Sequence, residues 1–245
     1  MDNIVFAAAS GMKYRMQALN ITANNMSNAE SVGFKRSGIY SEEFGEHMII
    51  RVIQEDKEDV GSIGYGVSAA DIYTDFNQGT IKKTSNSLDL AINGNGFFSI
   101  EAENGVNCLT RAGSFLRNAD GFLVDQNGSF VLGNNGRINL GNGSVNIDKN
   151  GNVYNEQGLV DTLNIITPED EGIITRLNGN YFTYGGPTTE FSGEINAGYL
   201  EISNNNLIEE MTEMLRHSRG YQSCAQIAKL ADQMSQKTVT EIGRV

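Results

Sequence analysis

Residues 5–26, VFAAASGMKYRMQALNITANNM, and residues 207–228, LIEEMTEMLRHSRGYQSCAQIA, decide how this chain is built. In the first stretch Val5, Ala9, Met12, Met16, Leu19, Ala23 and Met26 follow one another at intervals of 4, 3, 4, 3, 4 and 3. In the second, Leu207, Met211, Met214, Ser218, Tyr221, Ala225 and Ala228 repeat those intervals. A 3.5-residue period is that of helices packing along a seam. The first helix is expected from about Asn3, with Asp2 as its cap, to near Ala29, with Asn24, Asn25 and Asn28 crowding its end and Gly33 stopping it. The last is expected after Asn206, which can cap it, with Glu209 at the third position, and to run to about Glu241.

The middle of the chain reads differently. Asn-Gly pairs begin at 93, 95, 104, 127, 135, 142, 150 and 178, and an Asp-Gly pair begins at 120. Such pairs suit tight turns with positive φ. Between them lie short apolar or alternating segments: residues 88–92, 97–100, 122–124, 130–132, 145–147 and 163–166. Short strands at this spacing mean an antiparallel β domain. The expected fold class is therefore α+β, with paired, coiled-coil-like terminal helices and a central antiparallel β domain. Residues 1–36 with 203–245 form the expected helical assembly domain, 37–70 an extended linker with short strands as the alternative, and 71–202 the β domain.

Composition agrees. Glycine contributes 28 residues and proline two, a balance that suits β turns better than a disordered chain. The net charge is −12, but residues 1–36 carry four basic and two acidic groups and residues 201–245 five and six. The acidity thus sits in the middle, while nearly neutral helical ends can pack on copies of themselves. Nucleic-acid binding is excluded on this balance. Cys108 and Cys224 fit neither a disulfide framework nor a metal spacing. No stretch has the length of a membrane span, and the start Met1-Asp2-Asn3 lacks a cleaved signal's basic region.

Chemical motifs are weak. Asn93-Gly94-Asn95-Gly96-Phe97-Phe98-Ser99 imitates a dinucleotide fingerprint, but Ser99 replaces the third glycine and strand, not helix, follows. Asp148-Lys149-Asn150-Gly151-Asn152 departs from a calcium loop in its glycine position, and Leu159 stands where the bidentate Glu belongs. His47 and His217 lack triad partners, and no carboxylate pair stands out. No catalytic residue, cofactor, metal or small-molecule substrate is expected. The helical stripes could cover their own domain's core, but six of the eight Met residues fall in the terminal helices and five on the two seams. Met adapts to varied neighbours, so self-assembly is the expected use.

Several blocks resemble bacterial flagellar rod and hook proteins. Ala23-Asn24-Asn25-Met26-Ser27-Asn28 followed by Gly33-Phe34-Lys35-Arg36 is similar to their N-terminal signature. Leu88 to Phe98, then Leu109-Thr110-Arg111-Ala112-Gly113-Ser114-Phe115, resembles their central one, with Gly94, Gly96, Phe97, Arg111 and Gly113 as motif residues. Gly198 to Asn206 resembles the approach to their C-terminal helix. The resemblance implies a subunit of the hollow axial rod, of the distal type, with a proximal rod or hook-like subunit as the alternative. It implies helical polymerisation, torque transmission, rod and hook subunits as partners, and export through the flagellar type III apparatus without signal cleavage. It also implies a basal-body location in the cell envelope, with the helices lining the tube and the β domain outside. Residues 40–70 match no pattern of the family. From another class, a secreted β-rich binding module or adhesin explains the turns and the acidity but not the matched ends. A carboxylate hydrolase explains less.

Overall fold

The computed structural model describes residues 2–43, 46–53, 56–64, 67–102 and 105–242. It has the expected α+β architecture, with a helix at each end and antiparallel strands between them. The strands and helices divide into two compact units, 1–27 with 37–75 and 206–245, and 28–36 with 76–205.

The first unit holds both helices. Helix α1 spans Asp2–Ser27 and helix α2 spans Leu207–Ile242. At α2's start the Asn206 side-chain oxygen accepts from the Ile208 amide at 3.1 Å, while the Glu210 amide closes onto the Asn206 carbonyl at 3.0 Å. The side-chain bond satisfies an amide that a helix start otherwise leaves open, and the Glu210 bond is the first backbone turn of the helix. Residues 37–70, expected as an extended linker with at most short strands, pair as strands of seven to nine residues where they are described. Ser37–Glu43 runs antiparallel to Val67–Thr74, and Glu46–Ile53 to Asp56–Gly64. The side chains of the acidic stretch 42–59 and of His47 lie outside the described residues. Tyr40 and Tyr73 stack at 4.3 Å between ring centroids across the first of these pairs.

Three boundaries differ from expectation, the smallest being that residues 203–205 cluster with the β unit. Residues 71–75 end a strand of the helical unit instead of opening the β domain, and 28–36 cluster with the β unit instead of the helices. Gly33 is not the stop of α1, which ends at Ser27. It sits at φ +65°, where an added Cβ would lie 2.3 Å from the Ala112 amide nitrogen. The glycine is needed for that close approach and for its left-handed backbone.

The second unit is built on one large antiparallel sheet. Its path runs through Thr175–Asn178, Tyr181–Thr183, Asn107–Thr110, Phe97–Glu101, Phe130–Gly133, Leu123–Val124 and Leu116–Arg117. Smaller ladders join Glu194–Ala197 to Leu90–Asn93 and Tyr199–Glu201 to Ile81–Lys83. Leu90, Ile92, Phe98, Ile100, Phe115, Leu123, Val131, Ile138, Leu140 and Ile195 form its fully buried centre. The Asn93–Gly96 stretch joins strands of two different ladders, so it is a crossing between sheets and not a hairpin. At the calcium-like stretch, Asp148 Oδ1 accepts from the amides of Asn150 at 2.9 Å and Asn152 at 3.0 Å. This is a carboxylate-capped turn, and no group of metal-ligating side chains occurs among the described residues.

Candidate assembly interface

The helices run antiparallel, as three contacts in the first unit fix. Asn25 Nδ2 donates to Glu210 Oε2 at 3.2 Å, and Arg15 meets His217 at 3.0 Å. A Cβ on Gly11 would lie 3.2 Å from Cys224 Sγ. The stripe that α1 withdraws from solvent is Ala8, Gly11, Arg15, Ala18, Thr22 and Asn25, of which Ala8, Ala18, Thr22 and Asn25 are buried. Ala8, Gly11 and Ala18, with Gly220 and Cys224 on α2, are small enough for close axes.

The seam expected on α1 lies one residue further on at each step from Ala9 to Met26. One residue turns a helix by about 100°, so the two stripes occupy adjacent faces. The seam face is therefore not spent on α2. Val5, Ala9, Met16 and Ala23 are exposed, Met16 by 50%, and Met12, Leu19 and Met26 are half-buried. On α2, Leu207, Met211 and Tyr221 are exposed, Met211 by 51%, while Met214, Ser218, Ala225 and Ala228 are half-buried. Ile208, Leu215, Ile227, Leu230, Met234 and Val239 add exposed apolar surface on α2 outside the expected seam. Of these, Ile227 and Met234 show in the sequence, where the apolar set slips past Ala228, and the others follow no single heptad line.

Asn25 braces the end of α1. Its amide nitrogen donates to the Ser37 carbonyl at 2.8 Å and its oxygen accepts from the Ser37 amide at 3.1 Å. Asn24 is exposed, and Asn28 accepts from the Ser31 hydroxyl at 3.1 Å.

Of the remaining motif residues, Arg111, with Gly94 and Phe97 beside it, belongs to a buried ion cluster in the second unit. Lys35 Nζ donates to Glu201 Oε1 at 2.7 Å and to the Asn77 carbonyl at 2.8 Å. The Gly79 amide donates to the same carboxylate oxygen at 2.9 Å. Arg111 Nε lies 3.8 Å from Glu201 Oε2, and the exposures of Lys35, Arg111 and Glu201 are 0%, 3% and 2%. Arg111 also donates to the Gly94 carbonyl at 2.6 Å and stands 5.5 Å from the Phe97 ring centroid. Burial pushes Arg111 below the usual guanidinium range, and Glu201 acts against that shift. Gly113 carries its carbonyl to the Leu90 amide at 2.9 Å, and a Cβ there would fall 1.7 Å from the Leu90 oxygen. Gly96, at φ +149°, has no space for a side chain beside Ile165. Phe34 is buried with the Arg176 guanidinium 4.9 Å above its ring.

Sequence reading did not single out Lys35, Glu201 or Arg176 as site residues. A lone Lys, Glu or Arg reads as solvated surface, and only the fold brings 35, 111, 176 and 201 together.

Three family models match in the chain's own order: a flagella basal body rod protein model over residues 7–35, a flagellar hook protein FlgE/F/G D1 domain over 91–155, and a flagellar basal body rod FlgEFG protein C-terminal model over 196–241. The flagellar basal-body rod protein FlgF of Caulobacter vibrioides is 30% identical over all of both chains. The chain belongs to the flagellar basal-body rod protein family. The rod protein FlgG of Buchnera aphidicola subsp. Baizongia pistaciae is 30% identical, over 95% of this chain and 97% of its own, and that of Bacillus subtilis is 29% identical over 96% and 97%. A structural subunit of the rod, and not an enzyme, is what membership supports. It places the protein in the flagellar basal body, in assembly with other axial components.

Proposed function

We propose that this rod protein polymerises helically into the hollow drive shaft, each copy contributing its α1–α2 pair as a stave and offering the uncovered seam to neighbouring copies. The observation that carries this reading is the seam itself. Val5, Ala9, Met16 and Ala23 on α1, with Leu207, Met211 and Tyr221 on α2, remain exposed after the two helices have packed. Apolar surface at heptad spacing on a nearly neutral helix pair is suited to a second copy of the same pair. No covalent chemistry is required, because the work of the rod is to carry torque to hook and filament.

The distal type is favoured over the proximal by the chain's Glu209-Glu210-Met211 run and its full central signature. Export through the flagellar type III apparatus without signal cleavage accompanies the reading, as do neighbouring rod and hook subunits. Among the described residues no helix is long and apolar enough to cross a membrane.

The test is a pair of seam variants, Met16→Glu and Met211→Glu, each placing a charge where the seam must become dry. Both should retain the β unit's thermal transition, lose sedimenting polymer in vitro and fail to complement motility. Wild-type polymer yield from both variants would overturn the proposal.

A further inference from the structure

His217 is poised to make the α1–α2 contact depend on pH. Arg15 donates from a terminal guanidinium nitrogen to His217 Nδ1 at 3.0 Å. Arginine has donors only, so Nδ1 must be the bare nitrogen of a neutral ring and the proton must sit on Nε2. In that tautomer Nε2 faces Glu213 Oε2, 3.6 Å away on the preceding turn of α2. The ring is 13% exposed and meets Tyr14 edge-on, with centroids 6.4 Å apart and planes at 82°. Gly220 makes room for the arginine, since a Cβ there would lie 2.8 Å from Arg15 Nε. The bond spans the two helices between the Asn25–Glu210 and Gly11–Cys224 contacts.

We infer that neutral His217 is an acid-released latch between α1 and α2. Protonation at Nδ1 turns the acceptor into a donor and sets an imidazolium against a guanidinium at hydrogen-bond distance. Both effects oppose pairing. The surroundings of the ring lean the same way on balance, though not every group does. Burial is the largest influence and disfavours the charged ring, and Arg15 from α1 adds to it, as does Arg216 from α2. Glu213 and Glu210, both on α2, act in the opposite sense. Tyr14 on α1 meets the imidazole with its ring plane nearly perpendicular. The balance holds the imidazole below its usual range.

The sign follows from linkage. A histidine that binds its proton less well when folded contributes stability that is complete above the unfolded value of about 6.5 and is lost as pH falls below it. Most carboxylates titrate below about pH 5, so the window from 7.5 to 5.5 belongs to histidine. The latch is a property of the helix pair itself and rests on the assembly reading only for its consequence, a polymer that loosens in mild acid.

The experiment is thermal melting of the helical signal at 222 nm, at pH 7.5 and 5.5, for the full-length wild type, His217→Gln and Arg15→Gln. Each is run dilute and at polymer-forming concentration, with sedimentation recorded separately. The His217→Gln side chain keeps an acceptor for Arg15 and cannot titrate; His47 is present in all three proteins. The wild-type midpoint should fall at pH 5.5, by at most about 3–5 °C, the ceiling set by one pH unit of linkage converted through the unfolding entropy of a chain this size. His217→Gln should show no such fall, and Arg15→Gln a smaller one. A wild-type midpoint that does not move, or a His217→Gln protein that moves as far as the wild type, overturns the latch. Absence of sedimenting polymer at both pH values would count against the assembly reading alone.

Discussion

Replacing Glu201 with alanine removes the carboxylate around which a buried cluster is arranged. Lys35, which donates to that carboxylate at 2.7 Å, and Arg111, 3.8 Å from its other oxygen, would both lose it while staying buried. The Gly79 amide would lose its 2.9 Å acceptor as well. Removing one member of a buried pair costs about 3–5 kcal/mol, most of it the uncompensated charge left behind. The cluster belongs to the unit of residues 28–36 and 76–205, about 140 residues with an unfolding entropy near 0.3 kcal/mol per degree. The expected fall in melting temperature is therefore about 10–17 °C, read by calorimetry on the intact chain. Lys35→Met should cost less, because Glu201 keeps Gly79 and Arg111. In the Lys35→Met/Glu201→Ala double variant the loss should fall short of the summed single losses by about 2 kcal/mol, since both break one interaction. A Glu201→Ala protein melting within about 3 °C of the wild type, or strictly additive losses, would refute the argument that this cluster is a unit.

Three further outcomes follow from close contacts. Gly113→Ala forces a Cβ onto the Leu90 carbonyl, 1.7 Å away without relaxation, and should cost more than about 3 kcal/mol in denaturant titration; a loss under about 1 kcal/mol would mean that the Leu90–Gly113 pairing yields easily. Gly11→Cys sets a thiol beside Cys224, whose sulfur lies 3.2 Å from the added Cβ, so mild oxidation should give an intrachain disulfide visible on a non-reducing gel. Its failure to form would contradict the antiparallel register. Cys108 is buried and its thiol is pushed up by desolvation, whereas Cys224 is half-buried. An aromatic disulfide reagent at pH 8 should label Cys224 first, and the reverse order would place Cys108 nearer solvent than the core described.

The elements that sequence reading recovers are those whose signal is local and repeated. The intervals from Val5 to Met26 and from Leu207 to Ala228 are periodic over several turns, so the helices appear within a few residues of α1 and α2. Asn-Gly turns likewise announce an antiparallel β unit. Residues 37–70 escape because their pairing is between neighbours of mixed composition: Glu46–Ile53 faces Asp56–Gly64 without clean alternation. Gly33 looks like a helix stop, but the reason for it is the Ala112 backbone, some eighty positions away in sequence. Lys35 and Glu201 are invisible for the same reason: their charges become a site only when the fold excludes water from both.

The one-residue offset on α1 is what lets a single helix serve both the chain and the assembly. The intrachain stripe is small and polar, with Gly11, Arg15 and Asn25 making contacts to Cys224, His217 and Glu210 that fix direction and register. Its polar contacts are directional and tolerate little shift. The adjacent seam carries Met12, Met16, Leu19 and Met26, flexible side chains that can repack against neighbours in unequal settings. Exchanging the two faces would put adaptable packing where register must be fixed and directional bonds where neighbours differ. On this argument polar substitutions on the inner stripe should disorder the helix pair before assembly begins. Substitutions on the seam should instead leave the pair intact and stop growth, a difference that helical melting and sedimentation together would resolve.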